Sequence, residues 1–162
     1  MPAVAKSVAS LRIFGDELIP EEITERIGCE PTWSYRKGDV DHLRSGKDIV
    51  RKTGMWLLEA TATEPEDLNL QVKEVISRLT SNLDVWKALN REFEIDLYCG
   101  LFLESTNDGL SLSAETLAAL GERGVELGLQ VYAPTSCLML TDACPCKSGK
   151  KYGECCAPKS EA

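Results

Sequence analysis

Apolar and polar residues alternate over residues 7–14, where Leu11 and Ile13 share one face of the chain. Successive side chains of a strand point to opposite sides of its sheet, so this period predicts a half-buried strand. The same alternation returns over residues 93–102 and again over residues 127–131. We therefore expect three strands that each bury one face.

Apolar residues spaced by three and four predict three helices between these strands. The first begins at Pro20, which suits the first helical turn, and ends at Gly28, which suits a C-terminal cap. The second and longest covers residues 65–83, and a break at residues 81–82 precedes one further turn. The third covers residues 113–124, where a serine can cap the first turn.

Three segments remain between the first two helices. Residues 33–37 predict a short strand, and residues 38–54 are polar and glycine-containing, which indicates a mobile loop. Residues 55–63 open with Met-Trp-Leu-Leu and have no polar face there, which is typical of a central strand. The order of elements predicts an α+β fold, with an antiparallel or mixed sheet that helices cover on one side.

Charge divides the chain of 162 residues unevenly. The net charge is -8, but residues 144–162 hold four lysines against two glutamates, so this tail carries +2 and the remainder -10. An acidic body disfavours direct nucleic-acid binding, so we expect any contact with nucleic acid to be indirect. No apolar run reaches the roughly 18 residues of a membrane span, and the N-terminus has no continuous apolar stretch, so we expect a cytoplasmic protein.

Four of the seven cysteines lie close together in the tail, as Cys144, Cys146, Cys155 and Cys156. A reducing compartment favours metal ligation over disulfides, and two close cysteine pairs joined by a short turn suit one tetrahedral zinc ion. Four protein ligands leave no open position, so the ion would be structural. Two disulfides, or a tail that is disordered without metal, are the alternatives. We expect a body at residues 1–133, a connector at 134–143 and a zinc knuckle at 144–162.

The stretch from Cys144 to Cys156 resembles the SEC-C motif, C-P-C-G-S-G-K-K-Y-x-x-C-[CH], the zinc-binding tail of the bacterial preprotein-translocation ATPase SecA. Ten positions match, and Lys147 alone departs, where the family has glycine. The resemblance implies a docking element, because the SecA tail contacts an export chaperone and the ribosome. Candidate partner-binding residues are then Lys147, Lys150, Lys151 and Tyr152. The alternative is that the lysines only offset the charge of a zinc–thiolate centre and that the tyrosine packs against it.

The body is similar to the domain of unknown function 4279 family. The similarity rests on six short segments: Arg-Ile-Phe-Gly-Asp at 12–16, Pro-Glu-Glu-Ile-Thr at 20–24, Pro-Thr at 31–32, Arg-Lys-Gly at 36–38, Gly-Met-Trp at 54–56 and Gly-Leu-Ser-Leu-Ser at 109–113. It covers about three quarters of the chain. This family has no assigned activity, so the resemblance implies a fold and no reaction.

No catalytic motif is evident in the body. His42 is the one histidine and lies in the polar stretch without a nucleophile at recognisable spacing, and no phosphate-binding loop or dinucleotide fingerprint occurs. We therefore expect no enzyme. A candidate anion pocket consists of Tyr35, Arg36, Lys37 and Trp56; the alternative is a basic strand beside a core tryptophan.

Three functions are compatible with these patterns. The first is a non-catalytic zinc-binding adaptor whose knuckle docks to an export chaperone, the ribosome or another protein. The second is an immunity or inhibitor protein whose acidic body binds a basic toxin. The third is a small-ligand enzyme that uses the region around Tyr35 to Lys37.

Overall fold

A computed structural model describes residues 4–104, 108–132, 148–151 and 154–155. Its helices and strands, in chain order, are β1 (Lys6–Gly15), α1 (Pro20–Ile27), β2 (Trp33–Tyr35), β3 (Val40–His42), β4 (Asp48–Val50), β5 (Gly54–Glu59), α2 (Leu68–Ser77), α3 (Leu83–Glu92), β6 (Glu94–Phe102), α4 (Ala114–Glu122) and β7 (Glu126–Tyr132).

Five strands form one sheet in the order β2-β5-β1-β6-β7. Neighbouring strands are antiparallel except for β6 and β7, which are parallel. A parallel pair needs a crossover connection, and α4 lies in the connection between these two strands. The predicted α+β class is confirmed, and of its two predicted sheet types the mixed one is observed.

The core lies between one face of the sheet and the four helices. Leu11, Ile13 and Leu97 are fully buried there, and they join one cluster with residues from every helix, including Ile23, Val75, Trp86, Leu89 and Leu120. The indole of Trp86 donates a hydrogen bond to the carbonyl of Thr80 at 2.9 Å, so its polar edge is satisfied inside the core. The periodic pattern of the sequence therefore identified the buried faces of β1 and β6.

The long helix predicted over residues 65–83 is two helices. Asp67 caps α2 by accepting from the backbone N–H of Leu70 at 2.9 Å, so the helix begins after Pro65. Asn82 caps α3 by accepting from the backbone N–H of Asp84 at 3.0 Å. This cap makes the break predicted at residues 81–82 the start of a second full helix, because an N-cap satisfies donors that a continuing helix would use internally.

Residues 38–54, predicted as a loop, contain the antiparallel pair β3 and β4, with Val40 opposite Val50. Alternation over three residues is too short to distinguish from a polar loop, so the sequence pattern missed this hairpin. The strand predicted as central at residues 55–63 is β5, which pairs with β2 on one side and β1 on the other. The middle position of the sheet belongs to β1. None of the helices in the described part of the chain has the length and apolar character that a membrane crossing requires.

Candidate metal centre and open sheet face

One of the four predicted zinc ligands lies within the described residues. Cys155 is exposed, and its Sγ lies 3.3 Å from Oγ of Ser148, which follows Cys146 by two positions. Between them Gly149 has a φ of +74°, a conformation that glycine adopts without the penalty of a Cβ. The chain therefore turns back on itself so that Cys155 returns to Ser148.

The geometry of Ser148, Gly149 and Cys155 fits the zinc hypothesis. A hydroxyl beside the Cys155 sulfur can donate to a thiolate, which is the protonation state that zinc requires of cysteine. Cys144, Cys146 and Cys156 lie outside the described residues, as does the predicted connector. Four cysteine sulfurs are a donor set that suits tetrahedral zinc.

Two of the four candidate partner-binding residues are described. Lys150 and Lys151 are exposed, and the backbone N–H of Glu154 donates to the carbonyl of Lys151 at 3.1 Å. Both lysines therefore lie at the surface, in the turn that returns Cys155 to Ser148. Lys147 and Tyr152 lie outside the described residues.

The structure places the residues of the candidate anion pocket on two faces of the sheet. Tyr35 pairs with Met55 on one face of the sheet, whereas Trp56 points to the opposite, helix-covered face and donates to Oγ1 of Thr24 at 3.1 Å. The four residues of that prediction therefore do not line a common cavity, because neighbouring positions of a strand face opposite ways.

The two cations of that prediction are each engaged elsewhere. Arg36 donates to Glu21 at 2.8 Å and lowers the pKa of that carboxyl, chiefly through the hydrogen bond. Lys37 binds Asp16, and this hydrogen bond lowers the pKa of the Asp16 carboxyl. Both pairs are exposed, so each cation is engaged at the surface by a carboxylate of its own.

His42 lies at the end of β3, on the exposed hairpin. Its Nδ1 lies 2.7 Å from Oδ1 of Asp48 on β4, and both side chains are mostly exposed. A histidine and an aspartate alone lack the nucleophile of a catalytic triad.

The face of the sheet opposite the helices holds a cluster of aromatic residues that the sequence analysis missed. Six of the ten aromatic residues of the chain point to this face, which we call the open face: Phe14, Trp33, Tyr35, Tyr98, Phe102 and Tyr132. The described helices pack on the other face. Strand alternation indicated outward positions, but only the register of five strands brings their side chains together.

Two arginines lie against these rings. The guanidinium carbon of Arg51 is 4.7 Å from the ring centre of Trp33 and 4.1 Å from that of Tyr35, and that of Arg12 is 4.5 Å from the ring centre of Tyr98. Such distances are within the range of cation–π attraction. At the far end of the face, the rings of Phe102 and Tyr132 stack with their centres 4.7 Å apart.

Fold and tail together define an α+β domain with a mixed sheet, followed by a cysteine-rich C-terminal motif. A family model described as "Domain of unknown function (DUF4279)" matches residues 5–134, so the chain belongs to this family. A model of the SEC-C motif matches residues 141–158. Both resemblances inferred from the sequence are confirmed. No curated protein and no solved structure matches the chain significantly.

Proposed function

We propose that this protein is a non-catalytic interaction protein, in which Cys144, Cys146, Cys155 and Cys156 hold one structural zinc ion and the knuckle docks to a protein or ribosomal partner. The observation that carries the proposal is the SEC-C match at residues 141–158, since this motif generally binds zinc. The return of Cys155 to within 3.3 Å of Ser148 supports it, because one ion needs both cysteine pairs within reach.

When bound, zinc supplies a cross-link that ties the two cysteine pairs together. A segment this short buries too little apolar surface to order itself, whereas structural zinc contributes about 10–16 kcal/mol of apparent binding energy in small peptides. The cysteines of this chain would do the binding, and the Ser148 hydroxyl would hold the Cys155 sulfur in place. The exposed ammonium groups of Lys150 and Lys151 would remain available to an acidic partner.

Two features of the body support a role without catalysis. Its one histidine is paired with Asp48 on an exposed hairpin. A groove of about 390 Å³ between α2 and α4 is lined by Asn69, Ser113 and Thr116, whose polar groups hydrogen-bond to one another. The acceptor of these bonds is the amide oxygen of Asn69, which is too weak a base to activate a hydroxyl nucleophile.

The test compares the partners of the full-length protein with those of Cys155→Ser, with Cys29→Ser as the thiol-matched control outside the motif. We expect proteins or ribosomes that wild type and Cys29→Ser both retain to be lost by Cys155→Ser. Equal retention by all three would contradict docking through the knuckle.

The charge of the body favours a second candidate function. Outside the tail the chain carries -10, which would attract a basic toxin in the manner of acidic inhibitors. A basic nuclease that co-purifies equally with wild type and Cys155→Ser would support this alternative over the adaptor.

A further inference from the structure

One row of side chains crosses the whole open face. By strand register it runs from Trp33 on β2 through Leu57, Arg12 and Asp96 to Glu126 on β7. Strands lie about 4.8 Å apart, so the row is about 19 Å long, the length of roughly six extended residues. It connects an exposed indole at one edge with an exposed carboxylate at the other.

Trp33 leaves part of its ring available. The guanidinium carbon of Arg51 lies 4.7 Å from the centre of the Trp33 ring, and the Tyr35 ring packs against it in a T-shaped arrangement with the ring centres 5.3 Å apart. Trp33 is nevertheless 48% exposed. Almost half of the residue therefore stays accessible beside these two neighbours. The remaining surface can stack a second planar cation, as it already stacks the guanidinium of Arg51.

Charge on the open face favours a cationic occupant. Four carboxylates point to it, from Glu59, Glu94, Asp96 and Glu126, against the cations Lys6, Arg12 and Arg51. Arg51 is paired with Asp41, so the face keeps a net negative charge. Arg12 is already bound to Asp96 and Lys6 lies 3.1 Å from Glu64, whereas the glutamates at 59, 94 and 126 are exposed. Phosphates would meet net negative charge here, so the aromatic rings do not suit a nucleic acid.

We propose that the open face binds an extended, arginine-containing segment of a basic partner protein. One guanidinium stacks on Trp33, and further arginines pair with the exposed glutamates at the β6–β7 end of the row. The proposal deepens the interaction role proposed above by naming a surface and a partner chemistry. It rests on residues of the body alone. A measurement that disproves zinc binding would therefore leave the peptide-binding proposal standing, and the reverse also holds.

The test titrates the full-length protein with hexa-arginine, hexa-lysine and a short oligouridylate, and measures affinity by calorimetry at physiological salt. Tryptophan fluorescence adds a local signal, because Trp56 and Trp86 are fully buried and Trp33 is exposed. We expect hexa-arginine to bind about three- to ten-fold more tightly than hexa-lysine, since guanidinium stacks better than ammonium, and to quench the exposed indole. Equal affinity for the two peptides would overturn the proposal, as would tighter binding of the oligouridylate.

Two variants separate this site from general attraction to an acidic protein. Trp33→Leu should weaken hexa-arginine binding about three- to ten-fold and leave hexa-lysine binding nearly unchanged. Glu126→Gln, a surface change that does not threaten folding, should weaken both peptides, whereas Glu25→Gln on α1 removes the same charge from the opposite side and should change neither. If Glu126→Gln and Glu25→Gln act equally, the site is not on the open face.

Discussion

Arg12 and Asp96 face each other across β1 and β6, and Nε of the arginine donates to Oδ1 of the aspartate at 2.8 Å. A second bond joins Nη2 to Oδ2, so the pair is bidentate. This hydrogen bonding raises the pKa of the Arg12 guanidinium, and the residue also stacks on Tyr98. The pair lies at the centre of the row that crosses the open face, and Arg12 lies against the rings of Phe14 and Tyr98.

Removing the arginine should destabilise the body. Asp96 is only 18% exposed, so Arg12→Met leaves a poorly hydrated carboxylate without its two donors, and we expect the free energy of unfolding to fall by about 1–3 kcal/mol. The double variant Arg12→Met/Asp96→Leu should recover part of this loss, because no unpaired charge remains. Urea unfolding followed by fluorescence measures both values.

Arg26 provides the matched control for that prediction. It also forms a bidentate pair, with Glu92, but this carboxylate is about half exposed. Arg26→Met should therefore cost less than about 1 kcal/mol. Equal losses for the two arginine variants would contradict a special role for the pair on the open face.

Gly124 ends the turn after α4 and should not tolerate a side chain. Its φ is +65°, and a Cβ there would lie 2.9 Å from Nδ2 of Asn90, which donates to the carbonyls of Trp86 and Arg123. We expect Gly124→Ala to lower the free energy of unfolding by about 1–3 kcal/mol. Gly121→Ala, inside α4 and in open space, should instead raise it by about 0.5–1 kcal/mol. Thermal unfolding of both variants checks the contrast, which a loss in both would contradict.

Cys99 should make stability depend on alkaline pH. Burial raises the pKa of its thiol to about 12 in the folded protein, from an ordinary value of 9.0. Between these values the unfolded chain loses the proton and the folded chain keeps it, so stability falls as pH rises above 9. From pH 8.5 to 10.5 we expect wild type to lose about 2 kcal/mol more than Cys99→Ala. Parallel pH profiles in urea unfolding would show that the thiol does not contribute.

Cys155→Ser should affect the tail and spare the body. The hydrophobic core is built from residues of the body. All three tryptophans of the chain also lie in the body, so their fluorescence reports on its unfolding. We expect the free energy of unfolding, measured in urea by tryptophan fluorescence, to change by no more than about 0.5 kcal/mol, as for a surface substitution. A strong loss of body stability would show that the knuckle packs into the domain.

Periodicity made β1 and β6 predictable because both strands bury alternate residues against one layer of helices. The parallel pairing of β7 could not be predicted, since it depends on the path of α4 over the sheet and not on the pattern of β7 itself. The hairpin of β3 and β4 was missed for a related reason. Its apolar residues Val40 and Val50 are exposed, so no buried face marks either strand.

The candidate sites differ in how far apart their residues lie along the chain. The proposed metal ligands are set by spacing within 13 residues, so sequence alone could nominate them. The open face joins Trp33, Arg12 and Glu126, which are far apart in the chain and become neighbours only through the register of five strands. The residues of the candidate anion pocket lie on two faces of the sheet for the same reason, because adjacent positions in sequence do not imply a shared face.

Zinc content of the full-length protein, purified without added metal and with its thiols reduced, shows whether the C-terminal motif is a metal centre. We expect close to one zinc per chain in wild type and in Cys29→Ser, and a loss of that zinc in Cys155→Ser. Less than about half a zinc per wild-type chain, or the same content in Cys155→Ser as in wild type, would contradict this expectation.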